Sequence, residues 1–401
     1  MISGESIKYS LNHLKKRKGR SFLTIFSILV GIATIFIFVS FGYGLYNYID
    51  ELSSASAADK VLIMPSSAGG IEAPEGVTLN ESDIHSITRA AGVYEATGVY
   101  FKAALVKQNK DQKYVSLISI DPTTDILIES YNIKIEQGRE LRQGDTKQVL
   151  LGYNYLIPNK ILPKPYELND NIEVNGVDLK VAGFLGSIGN PQDDSQIYIT
   201  NDQFESMYPE EDSYVEIFAR VDKDNVEKAV ENIERNLRKS RDVEKGKEDF
   251  TVQSFTELVE SFSMALDIVI GFIILIALIS VIVSTINTAN TMITSVLERY
   301  REIGILKAVG AKNHEVLKIF LFESSFLGFI AGILGCILGW ALSSLGGFIL
   351  QNLGWGFLKP YFSVWLFVGL ILFATITGAI SGVIPAVKAS KISTVKALRY
   401  E

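Results

Sequence analysis

Four stretches of this chain carry no charged residue: 21–49, 268–297, 324–358 and 360–387. A helix that crosses the hydrocarbon of a bilayer needs roughly 20 apolar residues, so each stretch can hold one crossing. The third is long enough for a crossing plus an external turn around Gly346, Gly347 and Gly354. The first is too long for the apolar core of a signal peptide, and no small-residue cleavage site follows it at once. The chain as a whole is 48% hydrophobic with a mean hydropathy of +0.23. That is apolar for a soluble protein but mild for one wholly in lipid, so the clustering predicts membrane spans joined to a water-soluble domain.

Orientation follows from the basic residues, which favour the cytoplasmic side. Lys8, Lys15, Lys16, Arg17, Lys18 and Arg20 precede the first span. Arg299, Arg301, Lys307, Lys312 and Lys318 lie between the second and third, and Lys388, Lys391, Lys396 and Arg399 follow the fourth. These segments share one side only if both termini are cytoplasmic, which places residues 50–267 outside. Fifteen basic residues against five carboxylates give the inner segments +10. With a formal total of −7, and with Glu323 offsetting Lys359, the external part carries −17. Such an acidic exterior gives no sign of a nucleic-acid partner.

The external part reads as α+β. "DKVLIMP" (59–65), "SYVEIFARV" (213–221) and "DFTVQSF" (249–255) have strand character. "TLNESDIHSITRAAG" (78–92) opens with Thr78 and Glu81 at capping-box spacing and ends at Gly92, which predicts a helix. "DNVEKAVENIERNLRKS" (224–240) aligns Val226, Val230, Ile233 and Leu237 on one helical face. "VYFKAALVK" and "KYVSLISI" flank a polar turn and predict a hairpin, as does "NIEVNGVDLKVAGFL" around Asn175-Gly176. Two strand–helix–strand units thus flank a β-rich middle. Cys336, the only cysteine, falls in the third span, so the external part has no disulfide.

Chemistry has little to stand on. There is no G-x-x-x-x-G-K-[ST], so no P-loop nucleotide site is expected. "GGIEAPEG" (69–76) reads as a plain loop. Asp121 and the pair Asp193-Asp194 read as solvated turns. His13, His85 and His314 are scattered without metal-ligand spacing or a catalytic arrangement. No catalytic residue, metal site or cofactor site is expected in this chain.

The spans hold packing signals instead. Gly328/Gly332 and Gly335/Gly339 in the third, and Gly378/Gly382 in the fourth, have the spacing that lets helices approach closely. No charge lies inside the four windows, which argues against an intramembrane ion relay. The second span carries a stripe of Ser280, Ser284, Thr285, Asn287, Thr288, Asn290, Thr291 and Thr294. Interhelical hydrogen bonding and a polar path both fit it.

Between the second and third spans lies "ERYREIGILKAVGAKNHEV" (298–316). Helix signals run from Glu298 to Val309, Gly310 is placed to end the helix, and Asn313 to cap the next. Such a helix could lie on lipid or dock on a protein. The mixed charges Glu298, Arg299, Arg301, Glu302 and Lys307 favour a protein. Exposed ion pairs supply only about 0–1 kcal/mol each, so Ile303, Leu306 and Tyr300 are expected to fill a groove on the partner, with Gly304 and Gly310 in the same segment.

At this point the chain resembles the MacB/FtsX-family permeases of ATP-binding-cassette systems. "RSFLTIFSILVGIATIFIFVSFGYGL" (20–45) looks like that family's first span, residues 298–316 like its cytoplasmic segment, and "PAVKASKISTVKALRYE" (385–401) like its C-terminal tail. "EQGRELRQGDTKQVLLGYN" (136–154) with "VNGVDLKVAGFLG" resembles the MacB-type core domain. The resemblance implies a membrane α-helical protein of four transmembrane helices with a large extracytoplasmic Porter/Sabre-like α+β domain. Its parts would be a cytoplasmic segment 1–20, spans 21–46, 267–297, 313–345 and 361–387, a core domain 47–266, a coupling helix 298–312 and a tail 388–401. The Porter-like part would be about 56–125 and 200–255, split around a Sabre-like part about 126–199.

The resemblance further implies a permease subunit in the cell membrane, dimerising with a second copy or a paralogue. It would dock on a separate ABC ATPase that binds the ATP, and serve efflux, extraction or mechanotransmission. The alternatives are an FtsX-like regulator of an extracellular hydrolase and a membrane-anchored receptor without an ATPase. The first and second spans are also expected to continue outward as helical stalks, through about Ala55 and from about Phe255.

Overall fold

The computed structural model describes residues 18–53, 58–66, 77–131 and 133–399. The N-terminal segment 1–17, the loop read at 69–76, Ala55 and the last two residues lie outside the described residues. In chain order the elements begin with α1 (Lys18–Ser53), β1 (Lys60–Pro65), α2 (Glu81–Thr88), β2 (Val93–Val99), β3 (Phe101–Gln108) and β4 (Asp111–Ile120). There follow α3 (Ile126–Ser130), β5 (Ile135–Gly138), β6 (Gln148–Leu151), β7 (Asn171–Val174), β8 (Val177–Leu185), β9 (Ile197–Thr200) and α4 (Asn201–Met207). The remainder is β10 (Glu216–Val221), α5 (Val226–Arg241), β11 (Phe250–Ser254), α6 (Phe255–Glu298), α7 (Tyr300–Ala308), α8 (Asn313–Asn352), α9 (Val364–Ser390) and α10 (Thr394–Arg399). The chain forms two compact units, one comprising Tyr46–Met264 with Leu350–Phe357 and the other the remaining residues.

The α+β unit has two lobes. In the first, four antiparallel strands run in the order β11-β1-β10-β2, with α2 following β1 and α5 following β10. Both faces of this sheet are buried. Strand alternation sends Val61 and Ile63 to one core with Ile87, Ile233 and Leu237 of the two helices, and Leu62 to another with Phe218 and Ile126. The α2 capping box is Asn80 with Asp83 rather than Thr78 with Glu81: the Asn80 side chain accepts from Ser82 N, and Asp83 accepts from Asn80 N at 2.9 Å.

The second lobe is a barrel. Its pairings run β8–β6–β9–β4–β3–β7 and return to β8, with β5 on the edge of β8. Asn175 and Gly176 both have positive φ (48° and 82°), as the two-residue β7–β8 hairpin requires. The β3–β4 hairpin belongs to the second lobe. β4 pairs in parallel with β9, so the hairpin is a wall of the barrel and the first lobe breaks off at Val99. Tyr100 marks the join, its ring stacked on Phe204 at 4.7 Å and tilted against Tyr214 at 4.5 Å.

Asp194 is not a solvated turn residue. It is buried and accepts hydrogen bonds from Ser187 Oγ (2.8 Å) and Ile188 N (2.7 Å), bracing the loop after β8. Asp121 does sit in a turn, accepting from Thr123 N at 2.9 Å. The braced loop meets the α8–α9 connection, where Phe357 N donates to Gly189 O (3.2 Å), and Lys160 Nζ, from the segment between β6 and β7, donates to Leu353 O (3.2 Å). Gly189 has φ +86°, and a Cβ there would stand 3.0 Å from Phe357 N.

In the other unit, α1, α6, α8 and α9 each hold a window long and apolar enough to cross a membrane. The helix α8 runs unbroken to Asn352, so Gly346 and Gly347 lie inside it and only Gly354 (φ +96°) makes a turn. Gly347 instead faces the Pro360 ring, which a Cβ would meet at 2.6 Å. The helix also encloses Glu323, which sits just outside the charge-free window of the sequence reading. A second correction concerns its start. Lys312 precedes the helix and its N–H donates to Glu315 Oε2 (2.8 Å), so Asn313 lies in the first turn and is not the cap. The helices α1 and α6 extend beyond their apolar windows, to Ser53 and from Phe255, and Tyr46 Oη donates to Ser263 O at 3.5 Å.

Candidate coupling site

A single residue separates α6 from α7. Arg299 leaves helical geometry (φ −104°, ψ 16°), and the chain turns there. Its side chain is 4% exposed and its Nη1 lies 3.0 Å from Oε2 of Glu323, itself 5% exposed. Its Nε stands 3.6 Å from Glu302 Oε2, and its guanidinium lies 5.7 Å from the centroid of the Phe320 ring. This is a buried charge pair tying the corner to α8. Removing one member of such a pair costs about 3–5 kcal/mol, far more than breaking an exposed one.

The α7 helix has one locked face. Ile303 is 2% exposed and belongs to a cluster with Val296, Val316, Phe320, Ala386 and Ala389. Gly304 lies against α10, where a Cβ would come within 2.5 Å of Ala397 Cβ. Lys307 Nζ donates to Ser390 O and Ile392 O, both at 2.8 Å, and so satisfies carbonyls at the end of α9. The helix ends in a Schellman motif: Ala311 N donates to Leu306 O (3.0 Å), Gly310 N donates to Lys307 O (3.1 Å), and Gly310 has φ +110°.

The opposite face is open. Ile305 is 48%, Leu306 36% and Val309 86% exposed, with Glu298, Arg301 and Glu302 also exposed and Tyr300 half-buried. The expectation that Ile303 and Leu306 fill one groove on a partner is therefore corrected for Ile303, whose side chain fills the chain's own core. Arg299, Gly304 and Lys307 likewise face inward. Sequence reasoning missed Glu323, Phe320 and Ala397. Glu323 had one signal, being the charge that borders the third apolar window on its N-terminal side. The tail helix had none beyond its Ala-Leu-Arg.

The packing glycines fall on two contacts. Gly328 and Gly332 of α8 face α9, where added Cβ atoms would meet Ala374 O at 2.4 Å and Ala374 Cβ at 3.0 Å. Gly378 and Gly382 are on the other side of that contact, opposed by Ser324 O at 2.6 Å and by Ser324 Oγ. Gly335 and Gly339 face α1, where Ile32 Cβ and Phe36 Cβ would lie at 2.9 and 2.7 Å. The α6 stripe divides. Ser284 and Thr288 are buried, Ser284 Oγ accepting from Ser27 Oγ (3.3 Å), while Ser280, Asn287, Asn290 and Thr294 are exposed. Among the described residues no group of His, Cys, Asp and Glu side chains is arranged to hold a metal ion.

Comparison with known proteins places these elements in a family. The model of the MacB-like periplasmic core domain matches residues 21–236, and that of the FtsX-like permease C-terminal region matches 269–394. An uncharacterized ABC transporter permease of Methanocaldococcus jannaschii is 31% identical over 399 residues, covering 98% of each chain. The uncharacterized ABC transporter permease YknZ of Bacillus subtilis is 26% identical over 410 residues, covering 99% of each. The macrolide export ATP-binding/permease protein MacB of Rhodopirellula baltica is 25% identical over 430 residues, which span 97% of this chain and 61% of that one. Among solved structures, the periplasmic region of MacB from Actinobacillus actinomycetemcomitans aligns with a TM-score of 0.43 at 14% identity, over 54% of this chain and 98% of that one.

Proposed function

This chain belongs to the ABC transporter permeases that join a MacB-like periplasmic core domain to an FtsX-like permease region, and we propose that it couples a separate cytoplasmic ATPase to its α+β domain across the membrane. Both termini are cytoplasmic in this reading and the α+β domain is extracytoplasmic, as the basic residues beside the spans suggest. The ATPase binds the ATP, and this chain has no catalytic residue of its own. It works as a dimer, and the transmitted motion serves export or extraction of a substrate at the outer side.

The observation that carries the reading is the two-faced α7. One face is fixed to α8, α9 and α10 by Ile303, Gly304, Lys307 and the Arg299–Glu323 pair. The other presents Ile305, Leu306 and Val309. A helix rigidly joined to two spans, with three apolar side chains set among charges on its free side, suits a part that receives force from a partner. Driving a two-state element from 1:99 to 99:1 takes about 5.5 kcal/mol. Full burial contributes about 1.5–3 kcal/mol per large apolar side chain; Ile305, Leu306 and Val309 are already partly covered, so together they supply about half or more of that scale, which exposed charge pairs do not.

The test is to co-purify the permease with its ATPase and measure complex recovery and permease-dependent ATP hydrolysis. Leu306→Asp and Val309→Asp should abolish both, because a carboxylate forced into an apolar groove without a partner costs several kcal/mol. Glu302→Gln should do much less. If Leu306→Asp and Val309→Asp both leave recovery and hydrolysis unchanged, α7 does not dock and the coupling reading fails.

A further inference from the structure

The segment Leu350–Phe357 belongs to the α+β unit, although it leaves one span and leads into the next. Helix α8 ends at Asn352 and α9 begins at Val364, so the spans on either side hold residues 353–363 at one surface of the bilayer. Apolar side chains stay exposed along this end, from Phe348 and Ile349 to Leu353 (57%) and Trp355 (37%). Trp settles at the headgroup level of a bilayer, its ring in the apolar layer and its N–H in the wet one. Two barrel loops are fastened to the segment. Phe357 N donates to Gly189 O, Lys160 Nζ donates to Leu353 O, and a Cβ on Gly354 would lie 3.2 Å from Pro191 Cγ. The loop that carries Lys160 also exposes Ile157, Pro158 and Pro163.

Charge at this end of the barrel runs against that of the acidic domain around it. Residues 153–166 hold Lys160 and Lys164 and no carboxylate. The β3–β4 turn adds to them. Gln108 Nε2 donates to Lys164 O (3.1 Å) and Lys164 N donates to Gln108 Oε1 (3.0 Å), which brings Lys110 and Lys113 alongside, with Asp111 as the carboxylate of that turn. Lys113 Nζ donates to Lys160 O at 3.3 Å. Lys110 and Lys164 are exposed, and their ammonium groups make no hydrogen bond or ion pair among the described residues. An ammonium is a compact charge on a flexible stem. Several of them beside an apolar patch match the two layers of a lipid surface, phosphate outside and acyl chain within.

We infer that the barrel lobe rests on the bilayer through the loop 157–164. Ile157, Leu353 and Trp355 meet the edge of the acyl layer, and Lys110 and Lys164 meet the phosphates of anionic phospholipid headgroups. The occupant is lipid rather than a soluble partner because the patch continues the exposed apolar end of a span and carries the charge that complements an anionic headgroup. The contact gives the α+β domain an attachment to the membrane surface besides the helices that enter it. It needs only that α8 and α9 cross the bilayer, and it holds whether or not α7 docks on an ATPase.

The experiment reconstitutes the full chain in nanodiscs that contain phosphatidylcholine with a nitroxide on its headgroup. In a Cys336→Ala parent, a fluorophore is attached at Pro158→Cys or, for comparison, at Lys245→Cys. Lys245 is exposed in the loop before β11, at the end of that strand away from α6. Quenching at 158 should exceed that at 245 several-fold. Replacing part of the unlabelled lipid by phosphatidylglycerol should raise quenching at 158 further, and added salt should reverse the rise. The double variant Lys110→Gln with Lys164→Gln should remove the phosphatidylglycerol effect. Trp355, left as the single tryptophan by Trp340→Phe and Trp365→Phe, reports without a label and should be quenched by the same lipid. Equal quenching at 158 and 245, or a Trp355 that the headgroup nitroxide leaves bright, overturns the contact. Quenching at 158 that ignores phosphatidylglycerol overturns the role given to the lysines.

Discussion

Arg299 and Glu323 illustrate how a buried charge pair specifies position more than it adds stability. Desolvating both groups offsets most of their attraction, yet either one left alone is strongly unfavourable. The pair therefore fixes where α7 meets α8. Among the described residues Glu216, at the start of β10, has no such partner to hold its charge. Burial pushes its carboxyl up to about 7 from an ordinary 4.5. A raised carboxylate binds its proton more tightly in the folded state, so its contribution is fully present below about 4.5 and is lost as pH rises through 7. The shift corresponds to about 3 kcal/mol. The melting temperature of the purified chain should fall between pH 5.5 and 8. Glu216→Gln should flatten that slope. An unchanged slope would show that Glu216 stays charged throughout.

At the scale of elements, the α8–α9 contact depends on missing side chains. Gly328→Ala forces a Cβ to within 2.4 Å of Ala374 O, a backbone atom that cannot step aside. Overpacking of this kind typically costs 1–3 kcal/mol. Gly369 of α9 has nothing within 4 Å of a Cβ, so Gly369→Ala should lose nothing and gain up to about 1 kcal/mol of helix propensity. Thermal aggregation of the detergent-solubilised variants separates the two, and equal behaviour would deny the close approach. The positions of these glycines were legible in the sequence because small residues at four-residue spacing have few other uses in a span. The working face of α7 was not. Ile303, Ile305, Leu306 and Val309 surround the helix, and only tertiary packing decides which of them is covered. The β3–β4 hairpin was legible as a hairpin, but strand alternation does not say which sheet a strand joins.

For the whole molecule, the apolar windows made the membrane part readable, since a bilayer enforces length and composition more strictly than water does. The sidedness assigned here has a direct check. Asn109, exposed in the β3–β4 turn with φ 59°, and Lys312, exposed between α7 and α8, fall on opposite sides of the membrane in the proposed topology. Asn109→Cys in intact cells should react with an impermeant thiol reagent, and Lys312→Cys should react only after permeabilisation. Reversed labelling would invert the orientation and remove α7 from reach of a cytoplasmic ATPase. The split sheet of the α+β unit also imposes an order on how the protein is made. Strand β1 pairs with β10 and β11, so Val61 must find Ala219 and Ser254 far along the chain. The entropy of closing a loop grows with its length. The barrel lies on one continuous segment, 101–207, and can assemble as soon as that segment emerges. Once formed it brings Val99 to Glu216 and shortens the search that β1 has to make. Until then β1 is a solitary strand with both edges bare, so the window for mispairing during synthesis opens at the first strand and closes only with the last.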